Sequence, residues 1–156
     1  MKLKLAVSLA CASLALPALA ADVTYRNEIR PLIKAQCAEC HGEDAPTLAD
    51  FLLDQEKFKK AKQGPRTNSY ADLLQLVGWP DPGALMRRLD DGSNSADKKP
   101  GNMYKHLGET DVERAANFKL IKVWVGDDAW NLNRWVKKGD VPAITKEQMD
   151  KLQVKY

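Results

Sequence analysis

The chain has 156 residues, 24 of them basic and 21 acidic, for a net charge of +3. That length suffices for one compact domain with its own core, and so balanced a charge gives no reason to expect nucleic acid as the partner. Without Lys2 and Lys4 the basic residues number 22 against 21 acidic, so most of the excess belongs to the first few positions.

Those positions open a segment with a short basic start, an almost wholly apolar stretch from Leu5 to Leu16, and a small-x-small end at Ala18, Leu19 and Ala20. The pattern predicts a secretory signal peptide over residues 1–20, cleaved after Ala20, because the apolar run is too short to span a bilayer. Cys11 would leave with it. A single domain is then expected over residues 21–156, in the periplasm, an oxidising compartment, with no membrane anchor after cleavage.

The remaining pattern is helical throughout. A first helix is expected over residues 28–37, where Ile29, Ile33 and Cys37 share a face with Leu32. Pro31 belongs to its first turn, or marks a kink after a looser start near Thr24. A second should start after Pro46, capped by Thr47, and end at Gly64-Pro65. Its end, EKFKKAK, reads as a solvated helix face whose cations suit the negative end of the helix dipole. A third helix is expected over residues 69–77. A fourth, over 82–89, has Asp81 as cap, Pro82 at the first position and Arg87 and Arg88 at its end. Residues 90–108 form a loop too long for a simple connection, of the kind that carries function, and hold Met103 and His106. Thr110 and Glu113 form a capping box for a fifth helix, which carries Ala116, Leu120 and Trp124 and ends at Gly126. A short last helix is capped by Thr145 and Gln148, with Met149 and Leu152 inward.

The chemistry concentrates in CAECH, Cys37 to His41. A thioredoxin-like disulfide would need a βαβ setting that this pattern lacks. A zinc site would have to use all the Cys and His that remain after cleavage: Cys37, Cys40, His41 and His106. Covalent haem attachment accounts for every residue of the motif. Cys37 and Cys40 form thioethers from one edge of the porphyrin, and His41 ligates iron through Nε2 as the proximal ligand. One haem c is therefore the expected cofactor.

Residues 29–42, IRPLIKAQCAECHG, resemble the N-terminal helix and haem-binding turn of class I c-type cytochromes. PGALMRRLDDG, GNMYKHLG and KVWVGDDAW are similar to the later part of small bacterial members. The resemblance spans about residues 24–130 and leaves 131–156 as a C-terminal extension without a counterpart. It implies an all-α, cytochrome c-like domain wrapped around one haem, its first and last core helices crossing. Met103 falls where the family keeps its distal iron ligand, although the proline that often follows is replaced by Tyr104. His106, Met86 and an open site are the alternatives, while Met149 reads as packing. Family likeness also suggests the Pro46 carbonyl as acceptor for the His41 Nδ1 hydrogen. Arg87, Arg88, Trp79 and Tyr70 are candidates to reach a haem propionate, and Trp124 is expected in the core where the helices cross.

The activity this implies is one-electron transfer between periplasmic or membrane redox proteins, without catalysis, by a monomer that docks transiently. Two other readings remain: a five-coordinate haem protein with gas-binding or peroxidase activity, and a haem subunit of a dehydrogenase complex that docks through residues 131–156.

Overall fold

The computed structural model describes residues 22–130 and 144–156, so the expected signal peptide lies outside the described residues. The described chain is helical. A π-helical turn, Tyr25–Ile29, leads into α1, Arg30–Gln36; α2, Ala38–His41, follows directly. Then come α3, Leu48–Leu53, α4, Gln55–Lys60, α5, Tyr70–Val77, α6, Ala84–Leu89, α7, Asp111–Val125, and α8, Lys146–Met149, with short 3-10 turns at Tyr104–His106 and Asp127–Ala129.

Three boundaries differ from expectation, each for a local reason. The first helix starts at Tyr25 rather than residue 28, and its opening turn is wide: Ile29 N–H reaches Thr24 O at 3.2 Å and Arg30 N–H reaches Tyr25 O. Pro31 has no N–H to give, and its ring would crowd the carbonyl four residues back, so widening the turn relieves both problems. Thr24 caps this turn, accepting from Asn27 N–H, while Glu28 returns to Thr24 N–H at 2.7 Å.

The second expected helix is two. Asp54 leaves the helical conformation (φ −148°, ψ 71°) and its carboxylate accepts from Lys57 N–H at 3.1 Å, ending α3 and capping α4. An aspartate competes for backbone donors in this way, favouring a cap over a helix interior. The fourth helix begins at Ala84 rather than Pro82, because Gly83 adopts the left-handed conformation (φ 70°) just before it. Thr110 and Glu113 do form the expected capping box on α7, and Thr145 and Gln148 form one on α8.

The core lies where the first and last long helices meet. Ile29, Leu32 and Ile33 from the first pack in one cluster with Ile121, Trp124 and Val125 of α7 and with Leu73, Met86 and Leu107. Trp124 is buried as expected, with its indole beside Tyr25 and Tyr70.

The chain's end seals this crossing. Val154 N–H bonds Trp124 O at 2.8 Å and Gln153 N–H bonds Val125 O at 3.0 Å, satisfying carbonyls at the end of α7. On the other side, Tyr25 N–H donates to Lys155 O at 2.8 Å and Arg26 N–H to Tyr156 O at 3.3 Å. Tyr156 stacks on Tyr25 beneath the Arg26 guanidinium, and the Tyr70 hydroxyl donates to Val154 O at 2.7 Å. One strap thus caps the start of the first helix and the finish of the last.

Candidate haem site

Cys37 ends α1, and α2 carries Cys40 and His41 in a single turn held by His41 N–H to Cys37 O at 2.9 Å. The i, i+3 spacing on one helical turn puts both sulfurs on the same side of the backbone. Both thiols are free and half-buried. Burial and the neighbouring Cys40 push the Cys37 thiol up to about 11. That is the opposite of the lowered value that makes a redox dithiol reactive, and so argues against the thioredoxin-like reading. For zinc, among the described residues no group of three or more Cys, His, Asp and Glu converges.

The His41 ring is fixed by the loop that follows α4. Gly64 N–H bonds Cys40 O and Thr67 N–H bonds His41 O, both at 2.9 Å, and Pro65 O lies 2.7 Å from His41 Nδ1. A carbonyl can only accept, so Nδ1 carries the hydrogen and Nε2 keeps its lone pair for a metal. The expected acceptor, the Pro46 carbonyl, instead takes Arg66 N–H at 2.7 Å. The His41 ring lies so close over Gly64 that a side-chain methyl there would occupy the space of the ring itself. Sequence reading used Gly64-Pro65 only as a helix stop; the glycine that permits close approach, paired with a carbonyl acceptor, was the available signal.

The other expected site residues are more dispersed. Met103 is half-buried against the core, as is Cys37. It is positioned by the end of α6: Met103 N–H bonds Arg88 O at 2.9 Å and Gly101 N–H bonds Asp90 O at 2.8 Å. Gly101 is needed there, since a Cβ would strike the Arg87 and Arg88 carbonyls. Met86 is fully buried core, His106 is exposed, and Met149 packs near Gly78 at the far end. Arg87 donates to Asp81 at 2.8 Å and to Pro82 O at 2.7 Å, an arrangement that braces the turn before α6. Arg88 reaches Asn102, the Tyr70 hydroxyl is engaged with the strap, and Trp79 is 70% exposed.

Sequence reading missed Asp90. Wholly buried, it accepts from Gly92 N–H, Asn94 N–H, the Asn94 amide and the Trp130 indole at 2.8 to 3.2 Å, and so organises the start of the loop that leads to Met103. Burial alone would raise its pKa; the donors from Asn94, Trp130 and Gly92 outweigh burial and hold it below the usual carboxylate value. The local signal was Asp90-Asp91-Gly92, a turn sequence directly after a helix.

The donor set suits haem c: two thiols at thioether spacing, and an imidazole with Nδ1 engaged and Nε2 available. Beside it, the buried Thr67 hydroxyl has no hydrogen-bond partner among the described residues, the kind of gap a bound group with acceptor atoms fills.

Comparison with known proteins agrees. A helical fold with this motif defines a monohaem c-type cytochrome, and the family described as PccH Cytochrome c matches residues 24–156. The chain belongs to that family, which carries one covalently bound haem c. Among solved structures, the monoheme cytochrome PccH from Geobacter sulfurreducens is similar at 47% identity and a TM-score of 0.75, covering 86% of this chain and 99% of that one. No curated protein matches.

Proposed function

We propose that this protein is a periplasmic one-electron carrier whose haem is attached through Cys37 and Cys40 and ligated by His41 and Met103. The hydrogen bond from His41 Nδ1 to Pro65 O carries this reading, because it leaves Nε2 as the only basic ring nitrogen. The haem supplies an iron that alternates between ferric and ferrous. Around it, the protein has to hold its ligands through both states with little rearrangement. Two backbone hydrogen bonds clamp Cys40 and His41 to the loop of Gly64–Thr67, and two more hold the loop of Met103 to the end of α6. Met103 would supply a thioether to the iron, a donor that favours the reduced state and raises the potential. Among the described residues no helix is long and apolar enough to cross a membrane.

The optical spectrum of the reduced holoprotein, with and without carbon monoxide, tests this. An unchanged spectrum in the parent protein, together with a shift in Met103→Ala, is the expected result. A shift in the parent would mean that Met103 does not hold the iron.

A further inference from the structure

Residues 90–108 carry Met103, yet outside the single turn Tyr104–His106 they form no helix, so the placement of the thioether depends on what fixes this loop from outside. Three ties do so. Before Met103, Gly101 N–H bonds Asp90 O at 2.8 Å, and Met103 N–H itself bonds Arg88 O, which hangs the turn from the end of α6. Beyond it, the Asn117 amide of α7 donates to Leu107 O at 2.6 Å. The third tie is the ring of Tyr104, directly after Met103, which packs edge-on against Phe118 of α7 with centroids 5.8 Å apart.

The first and third ties are joined. Phe118 meets the Trp130 ring edge-on at 5.1 Å, and the Trp130 indole N–H donates to the Asp90 carboxylate at 2.8 Å. Asp90, Trp130, Phe118 and Tyr104 thus connect the segment before Met103 to the residue after it. Asp90 and Trp130 are wholly buried and Phe118 nearly so. A charge-assisted hydrogen bond and edge-to-face rings both depend on orientation, so this set holds a fixed geometry rather than merely filling space. Tyr104 gains a role from it. A proline after the methionine would stiffen the chain through its fixed φ, whereas Tyr104 anchors the same point by packing on α7.

We propose that Asp90, Trp130, Phe118 and Tyr104 are positioning residues for Met103, holding its loop from both sides so that the iron keeps the thioether. This rests on the reading of Met103 as a ligand above. A methionine that leaves the iron opens a coordination position, so the apparent affinity of an added ligand scales with the fraction of molecules whose loop is released. Weakening the set raises that fraction.

The test titrates the oxidised holoprotein with imidazole and follows the visible spectrum. Trp130→Phe keeps a ring but removes the hydrogen bond to Asp90, and Tyr104→Ala removes the ring contact with Phe118. Each should bind imidazole about tenfold more tightly than the parent, the effect expected from losing one such interaction. Their midpoint potentials should fall as well, because a less firmly held thioether favours the reduced iron less. Tyr104→Phe, which keeps the ring, should behave as the parent. So should Tyr70→Phe, which loses its bond to Val154 O in the strap and controls for a general loss of stability. Equal imidazole affinity in all four variants and the parent would overturn the proposal, as would equal tightening in Tyr70→Phe. If Trp130→Phe fails to fold, Tyr104→Ala against Tyr104→Phe decides by the same comparison. Met103→Ala separates the two readings: an imidazole affinity and potential equal to the parent's would remove Met103 from the iron, and this proposal with it.

Discussion

A methyl group at Gly64 would collide with the His41 ring, so the smallest possible side-chain change in the protein reaches the imidazole proposed to ligate the haem iron. Gly64→Ala should push Pro65 O away from Nδ1 and cost about 2 kcal/mol of stability. Losing that acceptor makes the imidazole less basic and ferric iron less favoured, so the midpoint potential should rise; redox titration of the variant checks the sign. Asp90 gives a second prediction. Its pKa is lowered in the folded state, so its contribution is complete above the unfolded carboxylate value of roughly 3.9 and is lost as pH falls through the lower folded value. Urea midpoints measured from neutral to strongly acid pH should therefore fall less steeply for Asp90→Asn than for the parent. At neutral pH that variant should be weaker by about 2 kcal/mol, since an amide cannot serve all four donors. An Asp90→Asn profile parallel to the parent's would remove Asp90 from the account of acid stability.

At the scale of elements, what could be read in advance was whatever is encoded within a few residues. The capping boxes of α7 and α8 are local, and both appear where the spacing put them. Thr110→Ala should accordingly cost about 1 kcal/mol, read from thermal unfolding. The division at Asp54 was also local, but apolar residues on both sides masked it: Leu48, Phe51, Leu52 and Phe58 make one plausible stripe, and a capping aspartate inside a stripe looks like a surface residue. The strap was not legible at all, because its bonds join backbone atoms of residues 153–156 to those of residues 25–26 and 124–125. No periodicity reports such a contact. Deleting residues 153–156 should lower the melting temperature markedly, by removing caps from two helices and an aromatic partner from Tyr25 and Tyr70. Carbon monoxide should still leave the reduced spectrum unchanged if Met103 ligation is independent of the strap.

For the whole molecule, the helical class was legible from apolar periodicity, caps and Gly/Pro breaks along the chain, the haem c cofactor from one five-residue motif, and the family and solved-structure comparisons bear both out. The supporting contacts were less so. Pro46 was expected at the His41 ring by likeness to the family, as the first proline after the motif, yet the carbonyl in place belongs to Pro65, brought back by α3, α4 and the turn at Lys62. Proximity in sequence is a poor guide wherever a helical excursion leaves and returns.

That the strap joins the two ends of the described chain also orders events in time. Its seam closes a loop of about 130 residues, the entropically dearest contact in the fold, and gains nothing until both long helices are already packed. It should form late in folding and be released early in any opening, with its amides moving together. Hydrogen exchange at Tyr25, Arg26, Gln153 and Val154 should then follow one common rate, faster than the buried middle of α7, and mark these two distant stretches as a single cooperative unit.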